Sequence, residues 1–427
     1  MTMTILEELT ARGLVADVSQ RDELAALMAA GPVTFYAGYD PSGHSLHVGN
    51  LVPMILQARL QRAGHRPIVV VGGATGMIGD PSGKSAERNL LDDATLQSNL
   101  VAIRAQLGKF LTFGDGPTDA VMVNNADWFK DIGYMEFLRD VGKHLSINYM
   151  LAKDSVRSRL EGESGISYTE FSYMLLQAWD FVQLSQRYNC RLQVGGSDQW
   201  GNITAGCELS RRKGGAQLFG LVAPLLLDSA GNKMGKTSTG ERVWLDPELT
   251  TPYQFHQYWL NVPDSEVDKL LKIFSLRPLD EIAELVRVHA EAPHKRVGQR
   301  ALADDFTTWV HGADATRRAT TAAAVLFGGE LAGLGDGDLE PLAREVPSST
   351  IARDTLAGGV PLIDLLVERG LCSSKGEARR QIAGGAIYVN NQKVASADLL
   401  VSTAHLATPS FVLLRFGKKV YHLMRAE

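Results

Sequence analysis

Two short stretches of this chain combine residue types that proteins use to handle phosphate groups. The first runs from Tyr36 to Asn50 and places histidines and glycines between an apolar segment and a helix pattern. The second contains Lys233, Lys236 and Thr237 in the sequence Lys-Met-Gly-Lys-Thr. Two lysines on such a loop can close over a diphosphate leaving group and stabilise the charge that grows on it. Either stretch alone is also typical of a surface loop, so the prediction depends on the pair.

The first stretch predicts a helix N-terminus that faces a phosphate group. An apolar run over 33–39 predicts a buried strand, and a helix is predicted from about Asn50 to Ala63. Free backbone N–H groups and the helix dipole attract anions at that end. Gly49 lets a ligand approach the backbone closely, and His47 can donate a hydrogen bond to a phosphate oxygen.

Two other motifs in this part of the chain do not support the chemistry that they first suggest. His44 and His47 have metal-ligand spacing, but no nearby Cys or acidic residue completes a tetrahedral set, so no protein-bound metal is predicted. The segment 79–85 resembles a P-loop, but only three residues separate its glycines where that motif requires four. Lys84 and Arg88 in or beside this segment either face phosphate or belong to an ordinary solvated loop.

A polar stripe is predicted along one face of the helix expected over 167–188. Tyr173, Gln177 and Asp180 stand at positions i, i+4 and i+7, whereas the rest of the helix is rich in Phe, Leu, Met and Trp. The stripe predicts either a pocket for a polar ligand or a solvated helix face. A pocket would form at the switch point between strand ends. The strand-end residues expected there are Tyr36, Gln193, Gly196, Asp198 and Gln199.

The order of the predicted elements indicates an α/β fold. A second buried strand is predicted over 67–73, the segment 92–188 is mostly helical, and strands return over 191–196 and 218–222. We therefore predict a Rossmann-like, doubly wound parallel sheet with a helical insertion. An α-helical domain and a small α+β domain are expected to follow it.

Four parts are predicted along the chain. They are a catalytic domain over 1–246 with its insertion around 90–190, an α-helical domain over 247–330, a linker over 331–360, and a small domain over 361–427. The linker is predicted from its Gly, Ser, Pro and acidic residues. Two short helices and a strand are predicted in the last part.

Composition and charge restrict the class of protein. The net charge is −5, but residues 361–427 contain nine Lys/Arg and five Asp/Glu, so a basic segment follows an acidic body. Such a segment indicates an anionic partner, although counting noise in a short window would also produce it. The three cysteines are scattered, which fits a reducing cytoplasm. The longest apolar run, 218–227, is too short to span a bilayer.

Taken together, these motifs resemble the bacterial tyrosyl-tRNA synthetases, a family of class I aminoacyl-tRNA synthetases, over roughly residues 5–425. The segments that carry the resemblance are 36–41, 45–50, 71–82, 169–177, 193–204 and 233–237. The last 67 residues resemble an S4-type RNA-binding module. The resemblance implies a homodimer that uses L-tyrosine, ATP with Mg²⁺, and tRNA(Tyr), and it implies that the α-helical domain over 247–330 contributes to tRNA binding.

The resemblance also implies a role for each matching residue. Tyr36 and Asp180 would bind the phenol of tyrosine, and Asp80, Tyr173 and Gln177 its ammonium group. Gln199, counted with the tyrosine-binding residues, would also lie along the adenylate, as would Asp40, Gly196 and Asp198. Residues facing the ATP phosphates would be Ser42, His47, Gly49 and Asn50, and the mobile clamp would consist of Lys84, Arg88, Lys233, Lys236 and Thr237. Asn50 stands where the family signature usually ends in a second His, and Ala37 where some relatives have Cys.

The implied reaction needs no protein nucleophile. The tyrosine carboxylate would attack the α-phosphate of ATP in line, and the protein would contribute positioning and electrostatic stabilisation. The motifs leave two alternatives: a tryptophanyl-tRNA synthetase of the same fold, and a non-catalytic RNA-binding protein built on a former synthetase. The S4-like module and the segment 195–200 favour tyrosine over tryptophan. Retention of His47, Lys233 and Lys236 favours an active enzyme.

Overall fold

The structure is a computed structural model that describes residues 3–41, 43–80, 92–161, 165–227, 231, 234–236 and 240–427. The chain divides into two compact units. The first contains residues 1–250 and 260–306, and the second contains residues 251–259 and 307–427.

A six-stranded sheet forms the centre of the first unit. Its strands are β1 (Asp17–Val18), β2 (Thr34–Tyr39), β3 (Arg66–Val71), β4 (Val121–Asn124), β5 (Cys190–Gly196) and β6 (Phe219–Ala223), in the order β1-β6-β5-β2-β3-β4. All neighbouring strands are parallel except β1, which pairs antiparallel with β6. The chain runs outward from β2 to β4 on one side and from β5 to β6 on the other. The switch point therefore lies between β2 and β5.

Helices cover the sheet and form the insertion. They are α1 (Ile5–Ala11), α2 (Arg21–Ala30), α3 (Leu51–Arg62), α4 (Asp93–Leu107), α5 (Ala126–Phe129), α6 (Tyr134–Asp140), α7 (Ile147–Leu151), α8 (Asp154–Leu160), α9 (Tyr168–Tyr188) and α10 (Trp200–Arg212). The helices α6 to α10 share an apolar core that includes Val141, Ala178 and Leu209. The α/β class with a helical insertion, predicted from the sequence, is confirmed.

Five further helices follow the sheet in the chain: α11 (Pro252–Leu260), α12 (Val267–Phe274), α13 (Leu279–Glu291), α14 (Val297–His311) and α15 (Ala313–Leu326). The helix α12 buries Val267, Leu270 and Phe274 on one face, as its amphipathic pattern requires. No described helix is long and apolar enough to cross a membrane.

The C-terminal part contains more strands than the single one predicted from the sequence. Its helices are α16 (Asp336–Leu339), α17 (Arg353–Ala357), α18 (Leu362–Glu368) and α19 (Lys375–Ala383). Its strands are β7 (Ser348–Ile351), β8 (Val360–Pro361), β9 (Ile387–Val389), β10 (Gln392–Lys393), β11 (Leu400–Val401), β12 (Phe411–Phe416) and β13 (Val420–Ala426). Five of them form a sheet in the order β10-β9-β12-β13-β7, and β8 pairs with β11.

The segment 331–360 is not an extended linker. Leu331, Leu339 and Leu342 are buried against the strands β12 and β13, and β7 pairs in parallel with β13. The segment is rich in Gly and acidic residues, which is why its composition predicts a linker. Its leucines nevertheless pack into one apolar core. Because its backbone and side chains are both paired with the terminal strands, the segment is part of the second unit.

Candidate active site

A cavity of about 320 Å³ opens at the carboxyl ends of β2 and β5, where the strand order reverses. Apolar lining is provided by residues such as Val52, Val70 and Leu226. The cavity also collects most of the polar residues predicted from the sequence. The predicted residues in its lining, including two glycines, are Tyr36, Asp40, Gly49, Asn50, Asp80, Tyr173, Gln177, Asp180, Gln193, Gly196, Asp198 and Gln199.

Tyr36 and Asp180 form a buried polar end of this cavity. The Tyr36 hydroxyl has no hydrogen-bond partner among the described residues, although the side chain is only 1% exposed. Burial, and then the neighbouring Asp180 carboxylate, raise the pKa of Tyr36 well above its usual range, so the hydroxyl keeps its proton. A ligand hydroxyl at this position can therefore donate to Asp180 and accept from Tyr36.

Two residues that the sequence analysis missed hold the Asp180 carboxylate. Trp128 donates from its indole nitrogen to Oδ1 at 2.7 Å, and the Asn125 amide nitrogen donates to Oδ2 at 3.1 Å. Asn125 is itself fixed, because its oxygen accepts from the Ala74 N–H at 2.7 Å. Burial raises the pKa of Asp180 to about 7, while the bonds from Asn125 and Trp128 act in the opposite direction.

A hydrogen-bonded amide network lies beside Asp80 in the same cavity. The Gln199 amide nitrogen donates to Asp80 Oδ2 at 2.6 Å, and Gln177 donates to the Gln199 oxygen at 3.3 Å. Asn202, a residue missed from the sequence, donates to the same Gln199 oxygen at 3.3 Å and to Asp80 Oδ1 at 3.5 Å. The network fixes a carboxylate at the cavity wall, where it can bind a cationic group.

His47 forms the N-terminal cap of the turn that leads into α3. Its Nδ1 accepts a hydrogen bond from the Gly49 N–H at 3.0 Å, and Asn50 Oδ1 accepts from the His47 N–H at 3.1 Å. An accepting Nδ1 requires the neutral ring with its proton on Nε2. Burial, and then Arg242, lower the pKa of His47, which favours that neutral form. Nε2–H is therefore the group that can donate to a ligand.

The two phosphate-handling stretches meet in the structure. The Leu245 N–H donates to the Leu46 carbonyl at 2.9 Å, the Val48 N–H donates to the Val243 carbonyl at 2.9 Å, and the Val243 N–H donates to the Gly235 carbonyl at 3.0 Å. We call this set of backbone bonds, which joins 46–48, 243–245 and Gly235, the signature ladder.

Gly235 is required at this junction for two reasons. Its φ is +110°, and a Cβ there would lie 3.0 Å from the Gly49 backbone nitrogen. A side chain would therefore strain the backbone and push the two stretches apart.

The remaining predicted residues divide into two groups. His47 and Lys236 are described but are not part of the cavity lining. Lys236 is exposed, and its backbone pairs with that of Arg242 in an isolated antiparallel β-bridge. The predictions for Ser42, Lys84, Arg88, Lys233 and Thr237 fall on positions outside the described residues. Among the residues that the structure describes, no group of three His, Cys, Asp or Glu side chains could hold a metal ion.

Comparison with known families identifies two matching regions. Residues 28–328 match the family described as tRNA synthetases class I (W and Y). Residues 338–424 match the Tyrosine--tRNA ligase SYY-like C-terminal domain. The first family includes enzymes for tryptophan as well as tyrosine, whereas the second is specific to tyrosine–tRNA ligases.

Individual relatives match over nearly the whole chain. A tyrosine–tRNA ligase of Roseiflexus castenholzii is 50% identical over 423 residues, covering 99% of each chain. One of Anaeromyxobacter dehalogenans is 51% identical over 424 residues, again covering 99% of each.

Solved structures agree with this result. A C-terminally truncated mitochondrial tyrosyl-tRNA synthetase of Coccidioides posadasii superposes with a TM-score of 0.65 at 33% identity, covering 74% of this chain and 91% of that one. A tryptophanyl-tRNA synthetase of Encephalitozoon cuniculi shares the fold, with a TM-score of 0.53 at 15% identity, covering 78% of this chain and 89% of that one. The cavity contains Tyr36 and Asp180, and relatives at 50% and 51% identity match 99% of the chain. The chain therefore belongs to the tyrosine–tRNA ligase family of class I tRNA synthetases.

Proposed function

We propose that this chain activates L-tyrosine with ATP, giving tyrosyl-adenylate and pyrophosphate, and transfers the tyrosyl group to the 3′-terminal adenosine of tRNA(Tyr). The observation that carries the proposal is the buried pair at the end of the cavity. A hydroxyl without a partner and a carboxylate that can accept are complementary to a phenol, because the phenol both donates and accepts. Phenylalanine would leave the buried Tyr36 hydroxyl without a partner and would offer no donor to the Asp180 carboxylate. The same logic is a known explanation of tyrosine selectivity in this family.

The rest of the cavity accommodates the backbone of the amino acid and the nucleotide. The Asp80 carboxylate, held by Gln199 and Asn202, binds the ammonium group together with Tyr173 and Gln177. Asp40, Gly196 and Asp198 lie along the adenylate, on the strand ends opposite α9. This arrangement directs the tyrosine carboxylate toward the segment that contains Gly49, where the α-phosphate of ATP would lie.

Activation is a direct displacement at phosphorus. A carboxylate oxygen of tyrosine forms a bond to the α-phosphorus, the bond to the bridging oxygen breaks, and pyrophosphate leaves with that electron pair. His47 donates from Nε2 to a phosphate oxygen, and Ser42 also faces the phosphates. Lys236 neutralises charge on the leaving group, with Lys84, Arg88, Lys233 and Thr237 as further members of the clamp. Mg²⁺ accompanies the triphosphate as part of the substrate.

We assign tRNA binding to the helical segment 247–330 and to the basic segment 361–427. The latter lies within the second unit, and its own excess of nine Lys/Arg over five Asp/Glu complements a phosphate backbone. A cytoplasmic location is proposed with this function, because tyrosine, ATP and tRNA meet there. The free thiols of Cys190, Cys207 and Cys372 are compatible with a reducing compartment.

We also propose that the enzyme is a homodimer that associates through the insertion. Six large side chains on α6 to α9, which we call the insertion patch, are 38–75% exposed: Tyr134, Met135, Ile147, Leu151, Leu160 and Tyr168. The hydroxyls of Tyr134 and Tyr168 lie 3.3 Å apart, so the first residue of α6 contacts the first residue of α9. A set of large apolar side chains exposed together is typical of an interface. A second copy of this chain is the occupant proposed here.

Sedimentation velocity tests the dimer. The double variant Met135→Glu and Leu160→Glu should sediment as a monomer where the unmodified protein sediments as a dimer. Val101→Glu is the matched control, because Val101 is 72% exposed on α4 outside the patch and the change should leave the dimer intact. A double variant that remains dimeric would refute this interface.

Aminoacylation tests the function itself. Purified protein, ATP and a tRNA(Tyr) transcript should give tyrosyl-tRNA with labelled tyrosine and no acylated product with labelled tryptophan. Charging with tryptophan would favour the other enzyme class, and an absence of charging would contradict the proposal.

A further inference from the structure

Gln106, in the last turn of α4, joins three segments near the phosphate-binding region. Its Oε1 accepts a hydrogen bond from the Leu46 N–H at 2.8 Å, and its Nε2 donates to Ser45 Oγ at 3.2 Å. The Ser45 hydroxyl in turn accepts from the Asp246 N–H at 3.2 Å and donates to the Leu46 carbonyl at 2.7 Å. Gln106 and Ser45 are 7% and 8% exposed, so water cannot readily replace these bonds.

These bonds lie at one end of the signature ladder. Leu46 is the first residue of its first segment, and Asp246 directly follows its second segment. The ladder bonds then join Leu46 to Leu245, Val48 to Val243, and Val243 to Gly235. The side chain of Gln106 therefore accepts from the Leu46 N–H. Through Ser45 it also holds the chain at Asp246, beside the same end of the ladder. A shift at this end would be transmitted to both His47 and Lys236.

A second bond from α4 supports the same segment further upstream. Asn99 precedes Gln106 by two helical turns, so both side chains lie on one face of α4. The Asn99 amide nitrogen donates to the Pro41 carbonyl at 2.9 Å, and Asn99 is 4% exposed. The helix thus holds the chain at Pro41 and again at Ser45 and Leu46, on either side of the bend after β2.

We propose that Gln106 is a positioning residue for adenylate formation, acting through Ser45 and Leu46 to keep His47 and Lys236 in register. The inference rests on the proposed function, since it concerns the rate of that reaction. Gln106 is not part of the cavity lining, and Asp180 is held by Asn125 and Trp128 instead. Loss of Gln106 should therefore slow the chemical step and leave tyrosine binding unchanged.

The test compares Gln106→Met, which keeps the length of the side chain and removes both hydrogen bonds, with the unmodified enzyme. Rates of ATP–pyrophosphate exchange are normalised to the folded fraction, and the dissociation constant of tyrosine is measured by fluorescence. We expect kcat to fall by about tenfold or more, equivalent to roughly 1.4 kcal/mol of transition-state stabilisation. The tyrosine dissociation constant should change by less than about twofold. Ser45→Ala should show a smaller change of the same kind.

Gln61→Met is the matched control for a merely structural effect. Gln61 on α3 makes the same type of bonds, donating to the Thr112 and Thr118 carbonyls at 2.8 and 3.0 Å and accepting from the Thr112 N–H at 3.0 Å. It has no bond to the signature ladder, so its loss should lower the melting temperature and leave kcat within about twofold.

Three outcomes would overturn the inference. They are a Gln106→Met enzyme with unchanged kcat, a fall no larger than that of Gln61→Met, and a matching loss of tyrosine affinity. If Gln106→Met does not fold, Ser45→Ala decides by the same criteria. Exchange by the unmodified enzyme separates this inference from the proposed function: if that enzyme shows none with tyrosine, the function itself is contradicted.

Discussion

The indole nitrogen of Trp128 donates a 2.7 Å hydrogen bond to Asp180, which lines the cavity at the carboxyl ends of β2 and β5. The two residues belong to different elements, α5 and α9, which meet because β4 lies beside β3 in the sheet. The bond favours the ionised, accepting form of the carboxylate over the neutral form. Trp128 therefore supports Asp180 without being a cavity-lining residue, and we expect it to affect tyrosine binding through that carboxylate.

Trp128→Phe should weaken tyrosine binding, because it keeps an aromatic ring at this position and removes the indole N–H. Removal of a hydrogen bond to a charged group typically costs about 1.5–3 kcal/mol. We therefore expect the KM for tyrosine in the exchange reaction to rise by about tenfold or more, with the KM for ATP within about twofold. An unchanged KM for tyrosine would show that the indole N–H does not support Asp180.

Tyrosine affinity should depend on pH near neutrality. Burial raises the pKa of Asp180 to about 7, so the carboxylate gains a proton as the pH falls through that value and then loses an accepting oxygen. Binding of the phenol should weaken below about pH 7, by up to about tenfold per pH unit, and become constant above it. The tyrosine dissociation constant measured from pH 6 to pH 8 checks this.

The variant Trp128→Phe provides a control for the assignment of that titration. Because the bond from Trp128 lowers the pKa of Asp180, its removal should shift the midpoint to higher pH. A dissociation constant that is flat from pH 6 to pH 8 in both proteins would exclude Asp180 as the group that titrates.

Tyr36→Phe should separate stability from binding. The buried Tyr36 hydroxyl has no partner among the described residues, so its removal should leave the free energy of unfolding equal or raise it by about 1 kcal/mol. The KM for tyrosine should rise about threefold to tenfold, because one hydrogen bond to the phenol is lost. Chemical denaturation and exchange kinetics measure the two effects.

Tyr39→Phe, on the same strand, should have the opposite effect on stability. The Tyr39 hydroxyl accepts a hydrogen bond from the buried Gln57 amide, so its loss leaves that amide with one partner fewer and should lower the free energy of unfolding by about 1 kcal/mol. If Tyr36→Phe is destabilised as much as Tyr39→Phe, the Tyr36 hydroxyl has a structural partner and the proposed vacancy for a phenol is wrong.

The positive charge at the turn between β12 and β13 should affect the binding of tRNA and should not affect adenylate formation. Lys418 and Lys419 are exposed there. Changing both to Gln should raise the KM for tRNA and reduce the salt dependence of charging by about one to two units of slope, because up to two phosphate contacts are lost. Pyrophosphate exchange should be unaffected.

Changing the same two lysines to Arg retains the charge and serves as the control. Charging kinetics close to those of the unmodified enzyme are expected for the Arg variant. If the Gln variant charges tRNA normally at every salt concentration, this turn does not contact tRNA.

The sequence predicted those parts of the site that depend on local periodicity. Tyr173, Gln177 and Asp180 follow from helical spacing on one element. Tyr36 is expected at the end of a buried strand and lies within it, because β2 continues to Tyr39. Trp128, Asn125 and Gln106 could not be predicted in this way. Each contacts a residue more than fifty positions away, and only the order of the strands brings those partners together.

The C-terminal strands had a signal that composition concealed. Apolar runs over 411–416 and 420–426 flank Gly417, whose φ is +62°, and such a pair around a glycine is typical of a hairpin. In the segment 331–360, by contrast, Gly and acidic residues outnumber the few leucines that become buried. The pairing partner of β7 lies over seventy residues downstream, which no local pattern reveals.

ATP–pyrophosphate exchange, measured with each amino acid in turn, tests the central claim most directly. It requires a functional phenol pocket and the phosphate-binding region at the same time and needs no tRNA. We expect exchange with tyrosine, and rates at the background level with phenylalanine and tryptophan. Exchange supported by tryptophan would contradict the account, and so would a failure of every amino acid to support exchange.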